Sequence, residues 1–292
     1  MKNKLMLLCL CMSLGLPMTS TGQTVNCKPL CSAGTFKCAY PRWSKDGKKI
    51  LYQCDSSGKW KLMEMDIEKK THKVLVGDSG NNYFADLSAD NSWICFVSDR
   101  NGNEDLYLAK SDGSSVKCII RDSARDIHPY FSPDGKYILF NSTRGNGSLD
   151  IYRYTISDGS IARLTDTPED ETCSRFAPDM KHIVYLKNSR REDDVYVLDL
   201  SNFLSTNISR TPDVHDGWPV YSPSGRWIYY SSMSSGAYSI FQSPSDGKWT
   251  TRLTTGKTGH EHTRASISPD GRRILYNIDT DKGIYMEVCD LQ

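Results

Sequence analysis

Apolar and polar residues alternate along most of this chain in short runs, and each run stops at a cluster of Pro, Gly, Asn or Asp. A period of two is the pattern of a strand, whose successive side chains point to opposite faces. Between residues 126 and 165 it predicts four strands: His128–Ser132, Tyr137–Asn141, Asp150–Thr155 and Ile161–Thr165. The breaks are Pro133-Asp134-Gly135, Gly145–Gly147 and Ser157-Asp158-Gly159. Proline presets φ for a turn, and glycine accepts the positive φ that closes one. Aromatic and β-branched residues fall on both faces of the middle strands, as in Ile138-Leu139-Phe140 and Ile151-Tyr152-Arg153-Tyr154. A sheet of this kind has two faces to bury.

The pattern then repeats. The phrases RWSKDGKKILYQC, DLSADNSWICFVS, YFSPDGKYILFNS, RFAPDMKHIVYLK, VYSPSGRWIYYSS and SISPDGRRILYNI are anchored on Ser44, Ser88, Ser132, Ala177, Ser222 and Ser268, at steps of 44, 44, 45, 45 and 46 residues. An apolar pair follows each anchor: Leu62-Met63, Leu106-Tyr107, Ile151-Tyr152, Val195-Tyr196, Ile240-Phe241 and Ile284-Tyr285. Arg163-Leu164-Thr165 and Arg252-Leu253-Thr254 close two of the units. A four-stranded unit of about 44 residues buries both faces only against copies of itself, and radial stacking achieves this.

The expected fold is therefore all-β: a six-bladed β-propeller of four-stranded antiparallel blades, with units near 38–76, 82–120, 126–165, 171–210, 216–254 and 262–292. The sixth unit reaches Gln292 after its third strand, so a strand from within residues 24–37 is expected to close the last blade. An uncovered edge would invite pairing with other chains. Closure brings Cys27 or Cys31 near Cys289, and a disulfide across that seam is expected if the chain is exported.

The Ser-Pro-Asp-Gly-Lys-x-Ile-Leu-Phe phrase, followed by Ile-Tyr and Arg-Leu-Thr, resembles the WD-like repeats of the TolB-like β-propeller family from Cys38 to Gln292. The resemblance implies a propeller that binds partners in the cell envelope. The same repeat serves binding propellers, peptidase propellers and oligogalacturonate lyases. The peptidase branch needs a G-x-S-x-G elbow in an α/β-hydrolase domain, and the sequence has neither.

Bulk properties narrow the function. Lys plus Arg number 36 against 35 Asp plus Glu, a formal charge of +1, and this near balance argues against a nucleic-acid binder, which normally shows a basic stripe. Two lysines precede an apolar run from Leu5 to Leu16, too short to span a bilayer, and Ser20-Thr21-Gly22 supplies small residues before Gln23. Residues 1–22 are thus expected to be a signal peptide and 23–292 a single domain, periplasmic or secreted, monomeric, and without a transmembrane segment after cleavage. Acylation of Cys27 is the second reading, because Thr24-Val25-Asn26 is a poor lipobox. Cys54, Cys95 and Cys118 are expected as buried strand residues, and Arg190–Asp194 as a solvated turn.

Candidate chemistry follows from the repeat. Six positions before the anchors stand Cys38, Asn82, Asp126, Glu171, Asp216 and His262, and two residues later Tyr40, Phe84, His128, Cys173, Trp218 and Arg264. Arg42, Asp86, Tyr130 and Arg175 come next. These columns lead onto the innermost strands, so Asn82, Asp126, His128, Glu171, Arg175, Asp216, Trp218, His262 and Arg264 are expected at the channel mouth as ligand-binding residues. The expected partner is an envelope protein or glycan, with no cofactor and no catalytic residue. The alternative is a lyase or hydrolase on acidic oligosaccharides. Its resemblance to oligogalacturonate lyases implies a divalent metal ion on His128, His215, His260 and His262.

Overall fold

The computed structural model describes residues 24–30, 37–55, 58–77, 79–188 and 192–292. The expected signal peptide, Cys31 and Arg190-Arg191 lie outside these residues. The described chain is all strand and turn. After β1 (Thr24–Pro29), the first repeat unit holds β2 (Lys37–Trp43), β3 (Lys49–Asp55), β4 (Trp60–Asp66) and β5 (Thr71–Val76). The second holds β6 (Asn82–Leu87), β7 (Trp93–Ser98), β8 (Asp105–Lys110) and β9 (Lys117–Ile120). The third holds β10 (Asp126–Phe131), β11 (Tyr137–Ser142), β12 (Asp150–Thr155) and β13 (Ile161–Arg163). The fourth holds β14 (Asp170–Phe176), β15 (His182–Asn188), β16 (Asp193–Asp199) and β17 (Leu204–Asn207). The fifth holds β18 (Asp216–Tyr221), β19 (Trp227–Ser232), β20 (Ser239–Pro244) and β21 (Thr251–Arg252). The last holds β22 (His260–Ile267), β23 (Arg273–Thr280) and β24 (Gly283–Leu291).

Hydrogen bonding corrects the expected blade count. Four separate four-stranded sheets form, β6–β9, β10–β13, β14–β17 and β18–β21, rather than six. The first and last units share one eight-stranded sheet in the order β22-β23-β24-β2-β3-β4-β5, with β1 on β24. The physical reason is the free edge of β24, which no fourth strand of its own unit covers. Toward its C-terminal end β24 pairs antiparallel with β1, Thr24 opposite Leu291 and Pro29 opposite Glu287. Near its start Ile284 pairs parallel with Lys37 of β2. The Cys27–Cys289 disulfide crosses the same seam.

The repeated anchor serine has a local cause. Ser132 Oγ donates to Asp134 Oδ1 at 2.7 Å and accepts the Tyr137 N–H at 2.9 Å, while Asp134 Oδ1 accepts the Lys136 N–H at 3.1 Å. Gly135 closes the turn at φ 72°. Ser44 with Asp46, Ser88 with Asp90, and Ser268 with Asp270 repeat the arrangement. In the fourth unit Ala177 offers no hydroxyl, and Asp179 takes over the His182 N–H at 3.3 Å.

The core lies between units. Leu51 and Leu62 pack on Ile94 and Phe96, Val97 and Leu106 on Ile127 and Phe140, and Leu139 and Ile151 on Ile183 and Tyr185. Val184 and Val195 pack on Ile228 and Tyr230, and Tyr229 and Ile240 on Ile274 and Tyr276. Leu275 and Met286 then meet Ile50 and Tyr52, so the last unit packs on the first. Burial of this continuous apolar ring, at about 25 cal/mol per Å², drives closure. The first strand of every unit lines the axis. Among the described residues no helix is long and apolar enough to cross a membrane.

Candidate functional site

Each innermost strand breaks its pairing at the same place. The register shifts between Ala39 and Arg42, Tyr83 and Asp86, Ile127 and Tyr130, Thr172 and Arg175, Gly217 and Val220, and Thr263 and Ser266. One residue within every shift has positive φ: Tyr40 at 55°, Phe84 at 53°, His128 at 52°, Cys173 at 53°, Trp218 at 50° and Arg264 at 55°. Left-handed backbone is costly for such side chains and marks a constrained position. The N–H groups freed by three bulges are held from the preceding unit. Phe84 N donates to Gln53 Oε1, Cys173 N to Asn141 Oδ1 and Tyr40 N to Asn277 Oδ1, at 2.9, 3.1 and 3.0 Å.

The bulged side chains meet one another around the axis. Tyr40 and Phe84 rings lie 4.7 Å apart, Phe84 and His128 4.3 Å, and His128 Nε2 is 3.9 Å from Cys173 Sγ. The Arg264 guanidinium sits 4.4 Å from the Trp218 ring and 4.9 Å from that of Tyr40. Arg264 also donates to Asp279 Oδ2 at 2.6 Å. Burial presses against the Arg264 charge, but Tyr40 and Asp279 outweigh it and raise its pKa.

Nearer the Ser-Pro-Asp-Gly turns the wall becomes cationic. Arg42 Nη2 donates to the Tyr130 hydroxyl at 3.0 Å, and Arg175 stacks over the Tyr130 ring at 4.2 Å. Arg42 also lies over that ring, at 5.3 Å. Burial, and then the Arg42 charge, hold the Arg175 pKa below its usual value. Among the described residues, the buried Nε atoms of both arginines make no hydrogen bond. Asp86 shares the wall and accepts the Phe131 N–H at 3.0 Å. These residues, with Pro133, Pro178, Pro223 and Pro269 at the rim, enclose a cavity of about 370 Å³.

The structure divides the expected site residues into two groups. His128, Arg175, Trp218 and Arg264 stand in the ring contacts just described. Asn82, Asp126, Glu171 and Asp216 are buried to 1% exposure or less. Arg100 donates to Asn82 at 2.7 Å, Arg144 to both carboxylate oxygens of Asp126 at 2.8 Å, and Thr211 to Asp216 at 2.8 Å. Burial raises the pKa of Asp126 and Glu171 and pushes Asp216 up to about 6. His262 packs against Tyr276, ring centroids 5.0 Å apart, and burial lowers its pKa to about 4. Arg42, Asp86 and Tyr130, from the column nearest the anchors, complete the cationic mouth.

The histidines are not gathered. His215 is exposed and binds Asp193 at 2.7 Å, and His260 is exposed where β22 begins. Among the described residues, the group of His, Cys, Asp and Glu ligand atoms close enough for one metal ion is Cys27, Glu287 and Cys289, and its two cysteines form the disulfide. Burial lowers the His128 pKa to about 3, and Arg125, Arg175 and Arg42 reinforce the shift. This cationic setting disfavours a divalent cation. Burial also raises the Cys173 pKa, so Cys173 and His128 form a neutral pair rather than a thiolate–imidazolium nucleophile.

Fold and channel together define a β-propeller with an arginine-rich axial mouth. Residues 24–193, more than half the chain, match the TolB beta propeller domain, and the chain belongs to that family. It is 24% identical over 189 residues to the Tol-Pal system protein TolB of Francisella tularensis subsp. mediasiatica, covering 64% of this chain and 43% of that one. The crystal structure of TolB from Acinetobacter baumannii superposes with a TM-score of 0.66 at 25% identity, covering 75% of this chain and 54% of that one. An oligogalacturonate lyase from Vibrio parahaemolyticus shares the fold, with a TM-score of 0.62 at 11% identity over 90% of this chain and 93% of that one. The chain spans less than half the length of the curated relatives it matches.

Proposed function

We propose that the protein is a binding module of the cell envelope, and that its channel mouth receives a carboxylate-bearing segment of a partner protein. The carrying observation is the Arg42–Tyr130–Arg175 stack, which sets two guanidinium groups into the lining of an open cavity. The Arg42 charge bears on Arg175 with, among the described residues, no anion between them, and a carboxylate is the acceptor that matches a guanidinium fork. The TolB relatives, the apolar leader pattern and the seam disulfide support an envelope setting.

An acidic glycan offers the same carboxylates, so the test carries both. Calorimetric titration with triglutamate is expected to show saturable binding that Arg42→Gln and Arg175→Gln each weaken about 10- to 100-fold, the cost of about 1.5–3 kcal/mol for a charged hydrogen bond. Trigalacturonate is expected to bind more weakly and to yield no rise in ultraviolet absorbance from an unsaturated product. Preferential binding of trigalacturonate with such a rise would overturn the binding-module reading in favour of a lyase. Triglutamate binding unchanged in both variants would remove the mouth from the account.

A further inference from the structure

Cys38 and Cys54 face each other across the β2–β3 pair. They are direct antiparallel partners, and their Sγ atoms lie 3.0 Å apart. Both are buried in the apolar cluster that packs the last unit on the first. Residues directly opposite in an antiparallel pair have Cα atoms about 4.5–5.5 Å apart, inside the range of about 4.4–6.8 Å that a disulfide accepts. The two sulfurs need approach by only about 1 Å to bond. Among the described residues the other thiols lack a facing cysteine: Cys95 stands opposite Asp86 and Leu108, half-buried Cys118 opposite Tyr107, and Cys173 Sγ lies 3.9 Å from His128 Nε2.

We propose that Cys38 and Cys54 form a second, cross-strand disulfide when the chain matures in an oxidising compartment, where the Cys27–Cys289 bridge forms. The oxidant is a small or protein-borne disulfide, of which oxidised glutathione is the simplest. One cysteine thiolate attacks it, forming a mixed disulfide and releasing one glutathione thiolate. The other cysteine, losing its proton, displaces the second glutathione. The pair gives up two protons and two electrons, and the oxidant becomes two thiols. Both cysteines are buried once the ring closes, so exchange belongs to the stage when β2 and β3 have paired and the seam is still open.

The bridge acts on the channel wall. Cys38 lies on the strand that carries Tyr40 and Arg42, and Cys54 follows Gln53, whose side chain holds the Phe84 N–H. Stapling β2 to β3 fixes that register beside the mouth.

Peptide mapping tests the proposal on the full chain, refolded with a glutathione redox couple, unfolded in N-ethylmaleimide and digested with trypsin without reductant. Trypsin places Cys38 and Cys54 on separate peptides, residues 38–42 and 50–59. The expected result is a species joining these two peptides, lighter than their sum by two hydrogens and lost on reduction, with Cys95, Cys118 and Cys173 alkylated. Recovery of both peptides carrying N-ethylmaleimide would overturn the proposal. Either peptide linked to Cys31 or to any other cysteine would overturn it equally.

Discussion

Ser132 shows how one hydroxyl governs a turn. Its oxygen is buried, donates to Asp134 and accepts the Tyr137 N–H. Ser132→Ala is expected to cost about 1 kcal/mol, the net worth of a hydrogen bond, in chemical denaturation. Ala177→Ser should return less than that, because Asp179 already accepts the His182 N–H in the Ala177 turn. Asp216 presents the opposite case, a carboxyl whose burial raises its pKa to about 6, against 3.8 for the unburied group. The folded state then holds a proton that the unfolded state has lost, so stability falls as pH rises through about 4 to 6. Asp216→Asn is expected to flatten that slope and to raise the melting temperature at pH 7. A slope between pH 4 and 6 unchanged in the variant would show that Asp216 is not its source. The burial of Asp216 also shows where residue-level reading stops. Strict alternation would put Asp126, His128 and Tyr130 on one face, but the bulge at His128 turns Asp126 away from the axis. Nothing in the residue types Tyr, Phe, His, Cys, Trp and Arg announces a positive φ, so the bulge was not legible.

Strands were more legible than sheets. The third unit reads as Tyr137–Asn141 and Asp150–Thr155 from its alternation, and the structure has β11 over Tyr137–Ser142 and β12 over Asp150–Thr155. The missing last strand of the final unit pointed to an N-terminal strand, and β1 pairs there. The fusion of first and last units into one sheet was not legible, because it rests on a single parallel pair, Lys37 with Ile284. Repeat number counts units of sequence, whereas sheets are counted by backbone pairing. Since β1 covers the β24 edge, deleting residues 24–29 is expected to lower the melting temperature strongly and promote aggregation. The Cys27–Cys289 bridge spans 262 positions, and the loop-entropy model gives it on the order of 5–6 kcal/mol. Cys289→Ser should lose most of that in urea unfolding, and an unchanged midpoint would mean the seam holds without it.

For the whole molecule, near-neutral net charge conceals a sorted interior. Arg42, Arg175 and Arg264 line one axis, and Asp86 shares the wall of the cavity with the first two. Concentrated positive charge with low-dielectric walls strengthens attraction for an anion at the mouth. His128 titrates near 3, so it stays neutral across physiological pH and adds no switch. The measurement that bears most directly on this account is the pair of arginine Nε–Hε resonances of Arg42 and Arg175 in the full chain, followed by nuclear magnetic resonance during titration with triglutamate. Both are expected to shift in a saturable way with one common affinity, and each to vanish on its own Arg→Gln substitution. Shifts confined to other arginines, or resonances of Arg42 and Arg175 that do not move at saturation, would contradict the claim that this channel mouth binds a carboxylate.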